Sequence, residues 1–85
     1  MDKKLMCFVA VEFPDDPNVK GREYWYLLGK CRDAEVGDGV IAPLGTHNRE
    51  QTGVIRKVVF SDEQSAPYPV KYIKNIRTLI KKKTL

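Results

Sequence analysis

No stretch of this sequence approaches the roughly 18 consecutive apolar residues that a membrane-crossing helix needs. The best candidate, Leu5 to Ala10, runs only as far as Val11-Glu12. It follows Met1-Asp2-Lys3-Lys4 but has no small-residue cleavage site behind it, so a secretion signal is not expected. Cysteine is scarce. Cys7 and Cys31 lack any C-x-x-C spacing, and without an export signal they are expected as reduced thiols in a cytoplasmic protein. His47 is the one histidine, in a polar stretch with no cysteine or second histidine at ligand spacing. Neither a zinc site nor an oriented catalytic base is expected from it. No G-x-x-x-x-G-K-[ST] phosphate loop occurs, which excludes a nucleotide-driven motor of that type.

What is present suits a folded domain. Of the 85 residues 42% are hydrophobic and 31% charged, with a formal net charge of +4, values unlike those of a disordered chain. A chain of this length is one domain that buries only about 60% of the surface its unfolded form exposes. One small core and a shallow surface site are expected, with no enzyme activity and no cofactor. The charge is uneven. Residues 1–70 carry nine Lys or Arg against eleven Asp or Glu, whereas residues 71–85 carry Lys71, Lys74, Arg77, Lys81, Lys82 and Lys83 and no acid. Such a segment suits an anionic partner, nucleic acid before a membrane surface; a solubilising tail has the same composition.

The elements read as strands. Leu5 to Phe13 is apolar on both alternating faces, with Leu5, Cys7, Val9, Val11 and Phe13 on one and Met6, Phe8 and Ala10 on the other. That pattern marks a central strand, ended by the turn residues Pro14-Asp15-Asp16-Pro17-Asn18. Arg22 to Leu28 is a second strand by its aromatics. Gly37-Asp38-Gly39 is a tight turn before a short third strand, Val40-Ile41-Ala42, which Pro43 is expected to stop. A polar loop over 45–51 follows. Thr52 to Phe60 is the fourth strand, with Val54, Val58 and Phe60 on one face and Ile55, Lys57 and Val59 on the other; Gly53 marks a bulge or a close backbone approach. Residues 61–69 are loop. In the last segment Tyr72, Ile76 and Leu79 fit helical spacing, but strand alternation fits as well. The absence of an opening cap favours a strand to about Leu79, with a frayed tail over 81–85. Four or five short strands with Gly and Pro turns describe an all-β domain, a small antiparallel barrel of the SH3-like or OB-like size class.

Several of these residues sit in a recurring order. Glu35-Val36-Gly37-Asp38-Gly39-Val40-Ile41-Ala42-Pro43-Leu44-Gly45 is followed by a polar loop, by Thr52-Gly53-Val54-Ile55, and later by Val70-Lys71-Tyr72-Ile73-Lys74-Asn75-Ile76. With the aromatic strand Tyr24-Trp25-Tyr26-Leu27 before them, these motifs resemble the N-terminal DNA-binding domain of the primosomal replication-restart helicases over residues 5–80. In that family a small β-rich module holds the 3′ end of a nascent DNA strand at a fork. It uses an aromatic-Asp-Tyr run, the glycine of the Gly-Asp turn and a late lysine. The resemblance implies those roles for Tyr24, Trp25 and Tyr26, for Gly37 and for Lys74. Trp25 stands where the family usually has an acid, so an indole replaces the carboxylate that would accept from a terminal 3′-OH. The implied protein is a stand-alone relative of the binding module, without ATPase activity.

The expected function is thus a non-catalytic DNA-binding module that contacts single-stranded or forked DNA. The aromatic run supplies stacking; Lys71, Lys74, Arg77 and the loop residue Arg49 supply phosphate contacts. Lys74 and Arg77 are three residues apart, which puts them on opposite faces of a strand but on one face of a helix. The glycines serve turn geometry, and backbone N–H groups of such turns can also hold an anion. Asp15, Asp16, Asp62 and Glu63 are expected as turn residues. The alternative is a protein-interaction adaptor or dimerisation module built on the aromatic strand 24–26.

Overall fold

The computed structural model describes residues 5–28 and 34–80; Cys31 and the terminal Lys81, Lys82 and Lys83, with the expected frayed tail, lie outside them. The described chain forms β1 (Met6–Glu12), β2 (Glu23–Leu28), β3 (Gly39–Leu44), β4 (Arg49–Ser61), a 3-10 turn (Val70–Tyr72), β5 (Lys74–Asn75) and β6 (Thr78–Ile80). The six strands make one sheet in the order β5-β2-β1-β4-β3-β6. It is curled into a half-barrel, so the domain is all-β and barrel-like.

β1 lies between β2 and β4, and this position accounts for its two apolar faces. Cys7, Val9 and Val11 join Phe13, Tyr26, Leu28, Val40, Ala42 and Ile55 in the core inside the curl. On the other face Phe8 and Ala10 are also fully buried. In register, Leu27 and Val59 flank Phe8, and Trp25 and Lys57 flank Ala10. Removing one such Val, Leu or Phe side chain from water stabilises the fold by roughly 1.5–3 kcal/mol.

β4 departs from strict alternation. Ala10 pairs with Lys57 but Val11 pairs with Ile55, so Arg56 is an extra residue at a bulge. The bulge resets the phase of the strand. Ile55 therefore shares the inward face with Val58, opposite Val11 and Val9, rather than the face of Lys57 and Val59 that simple alternation gives it. The displaced Arg56 donates from Nε to Glu12 Oε1 at 2.8 Å. Gly53, which pairs with Val40, is the close approach. A Cβ there would overlap Val11 Cγ1 and lie 3.0 Å from both the Glu12 carbonyl oxygen and Phe13 Cε1.

Pro43 does not stop β3. The strand continues to Leu44 and stays paired with β4 as far as Arg49, so only a turn over 45–48 remains of the expected loop. β6 pairs with Gly39, Val40 and Ile41 alone, and Pro43 thus sits beyond the covered part of that edge, where a missing N–H disrupts no ladder. The turn itself needs positive φ at Gly45 (79°) and Asn48 (52°). The turn aspartates act as expected: Asp16 Oδ1 accepts from Asn18 N at 3.0 Å, and Asp62 Oδ1 from Ser65 N at 2.9 Å.

The last segment is neither a helix nor one continuous strand. β5 runs parallel to β2, the one parallel pair in an otherwise antiparallel sheet, and β6 runs antiparallel to β3. Between them Ile76 N donates to Leu27 O at 2.9 Å and Arg77 N to Ile41 O at 2.8 Å. Adjacent residues thus reach opposite edges of the curled sheet. A helix here would have left the backbone groups of both edges without partners. Gly53→Ala is expected to lower stability by roughly 1–3 kcal/mol, because the added methyl must displace Val11 or the Glu12 backbone. Urea unfolding measures this; an unchanged midpoint would mean that β1 and β4 are not packed this closely.

Candidate nucleic-acid interface

The edge of β2 is only partly covered. β5 pairs with Tyr26 and Leu27, which leaves residues 23–25 with no strand on that side among the described residues. An open groove of about 370 Å³ runs along this edge. All four tyrosines of the chain, Tyr24, Tyr26, Tyr68 and Tyr72, line it together with its one tryptophan, Trp25. Val19, Glu23, Leu44, Gly45 and Lys74 complete the wall.

The aromatics differ in what they can do. Tyr26 is 3% exposed and belongs to the core. Its hydroxyl donates to the Pro43 carbonyl at 2.8 Å, and its ring meets Phe13 edge-on at 6.1 Å. It forms the floor of the groove, with its ring packed into the core, so of the expected binding residues 24–26 Tyr26 is not open to stacking. Alternation explains this, since Tyr26 points inward opposite Val9. Burial, with Tyr24 nearby, pushes the Tyr26 hydroxyl pKa up from 10.0 to about 12. Tyr24, half-buried, tilts against Phe13 at 6.2 Å. Trp25 lies on the outer face opposite Ala10 and meets the groove at its rim. Tyr68 and Tyr72 are 46% and 65% exposed, which makes them the most open of the rings that line the groove. Tyr68 stands between Pro67 and Pro69, which keep this segment out of the sheet. Tyr72 ends the 3-10 turn, with Lys71 Nζ 5.0 Å from its ring centroid.

The charges also divide. Lys74 Nζ donates to the Gly45 carbonyl at 2.7 Å and so is held across the groove wall. Among the described residues Glu23 is the one acid in the lining, and Lys57 Nζ lies 3.6 Å from its carboxylate. Arg77 is not in this groove but in a second, polar cleft of about 240 Å³ that shares Lys74. Arg49, exposed at the start of β4, lines neither.

Gly37 lies apart from both. Its φ is 98°, as a turn glycine requires, but its N–H donates to Ile55 O at 2.8 Å and is not available to an anion. The adjacent Asp38 is fully buried and accepts from Glu35 N at 2.9 Å, so this turn is a structural clamp on β4. His47 is exposed in the turn over 45–48. Among the described residues no group of three His, Cys, Asp or Glu side chains could hold a metal ion.

Sequence reasoning missed Tyr68, and it counted Tyr72 only as a periodic apolar position. The signal was available for Tyr68: a tyrosine between two prolines cannot be part of a paired central strand. Comparison with family models, curated proteins and solved structures gives no match to this chain in any of the three.

Tyr26→Phe is expected to cost about 1 kcal/mol at neutral pH through loss of the hydroxyl bond to Pro43. The raised pKa adds a pH effect with a definite sign. Below pH 10 the hydroxyl is neutral in both states; as pH rises from 10 toward 12 the unfolded chain releases the proton while the folded one retains it. Stability therefore falls across that window in the native protein, and this part of the fall is absent in the variant. Parallel pH–stability curves for the two would sink the assignment.

Proposed function

We propose that this domain is a non-catalytic DNA-binding module that takes single-stranded or forked DNA by stacking bases on exposed rings and holding the backbone with lysines. One observation carries this reading: every tyrosine of the chain and its only tryptophan line a single open groove with Lys74. Stacking on such rings contributes about 1–3 kcal/mol per base and tolerates any sequence, because every base has a π-face. Lys71 beside Tyr72 and Lys74 in the wall supply positive charge along the same path. The motif order shared with the N-terminal domain of the primosomal replication-restart helicases supports DNA in particular, and Tyr24 and Lys74 of that motif set face this groove.

Docking of an extended peptide is a second reading. It is favoured by the uncovered β2 edge at 23–25, to which a strand could add.

Titration with single-stranded, forked and duplex oligonucleotides at low salt, read through Trp25 fluorescence, tests the proposal. Binding is expected for the first two and should weaken as salt rises. Tyr72→Ala should weaken it by roughly 5- to 150-fold, the equivalent of one lost stacking contact. Absence of binding at micromolar concentrations, or binding indifferent to salt, would refute the nucleic-acid reading.

A further inference from the structure

The second cleft has a different chemistry from the groove. Pro43, Asn48, Lys74, Asn75 and Arg77 line it, and no carboxylate does among the described residues. Two cations and two side-chain amides meet there, and Lys74 forms a wall common to both depressions. The sequence spacing of Lys74 and Arg77 argues for opposite faces of a strand. The bend between β5 and β6, where the chain crosses from the β2 edge to the β3 edge, is what brings them to one cleft. The Arg77 backbone is anchored to Ile41, but its guanidinium is only loosely engaged. Nε lies 3.7 Å from Glu50 Oε2, beyond hydrogen-bond distance, and both side chains are more than half exposed. Lys74 Nζ donates to a neutral carbonyl, so its charge is not cancelled by that contact.

We propose that this cleft is a phosphate subsite for the strand whose bases occupy the tyrosine groove. The inference rests on the nucleic-acid reading above and adds to it a fixed phosphate position beyond Lys74. A phosphodiester there receives charge-assisted hydrogen bonds from Arg77 and Lys74 and neutral ones from the amides of Asn48 and Asn75. Glu50 is the competing anion, so binding exchanges a loose ion pair for a close one.

The test uses the full chain, a short single-stranded oligonucleotide and two exposed-site variants, R77Q and E50Q, with thermal unfolding as the check on folding. R77Q should weaken binding and lower the slope of log K against log salt by about 0.7, the value for one lost phosphate contact on a single strand. The fluorescence change of Trp25 at saturation should persist, because the base groove is untouched. E50Q should tighten binding. An oligonucleotide with neutral methylphosphonate linkages should bind the native protein and R77Q alike. If native protein binds but R77Q keeps the full salt slope, the subsite is wrong and the stacking groove stands. If native protein does not bind DNA at all, both fall together.

Discussion

The architecture depends on a seam. The four strands β2-β1-β4-β3 have two edges, and one short run of chain over 74–80 covers part of each by supplying β5 and β6. The backbone of Ile76 bonds to β2 and that of the next residue, Arg77, to β3. Two side chains reinforce the join: the Tyr26 hydroxyl reaches the Pro43 carbonyl, and Lys74 reaches that of Gly45. Each such bond contributes about 1 kcal/mol net, but together they define the curl that encloses the core. The groove and the polar cleft are both outer surfaces of this join. Both depressions are thus shaped by the same contacts that bring the edges together.

The inner side of the curl is set by two departures from regularity in β4. The Arg56 bulge turns Ile55 inward beside Val58. Gly53 lets β4 come within contact of the Glu12 backbone. Without the bulge the long strand would present Ile55 to the wrong face; with a side chain at 53 the strands could not approach. Beneath the groove the Phe13 ring meets Tyr24 at a tilt and Tyr26 edge-on, a cluster that the curl of the sheet encloses.

Much of this was legible from residue order. The double apolar face of β1 identified a central strand, and the turn chemistry at 14–18 and 37–39 set where the strands must end. Gly53 reads as a bulge or an approach point, and it is the approach point, the bulge lying at Arg56. The site was legible only in part. Tyr24, Trp25 and Lys74 are in the groove, but Gly37 and Arg49 are elsewhere, because an alternating strand and a distant turn carry no information about which sheet edge they face. The paired cleft of Lys74 and Arg77 was hidden by a bend that arises from satisfying two separate edges, a tertiary demand with no local signature. Pro43 within β3 was misread for a similar reason: its tolerance depends on how far β6 extends.

The register of the closing segment has a consequence for assembly of the domain. β1 with β2 and β3 with β4 are antiparallel pairs, joined through the β1–β4 pairing, and these four strands precede the final segment in the chain. Tyr72, Lys74 and Arg77 arrive only with that segment. A chain whose last segment has peeled away would lose Tyr72 and Lys74 from the groove and Arg77 from the cleft together with the backbone bonds that join the two edges, so closure of the curl and completion of the candidate site are one event.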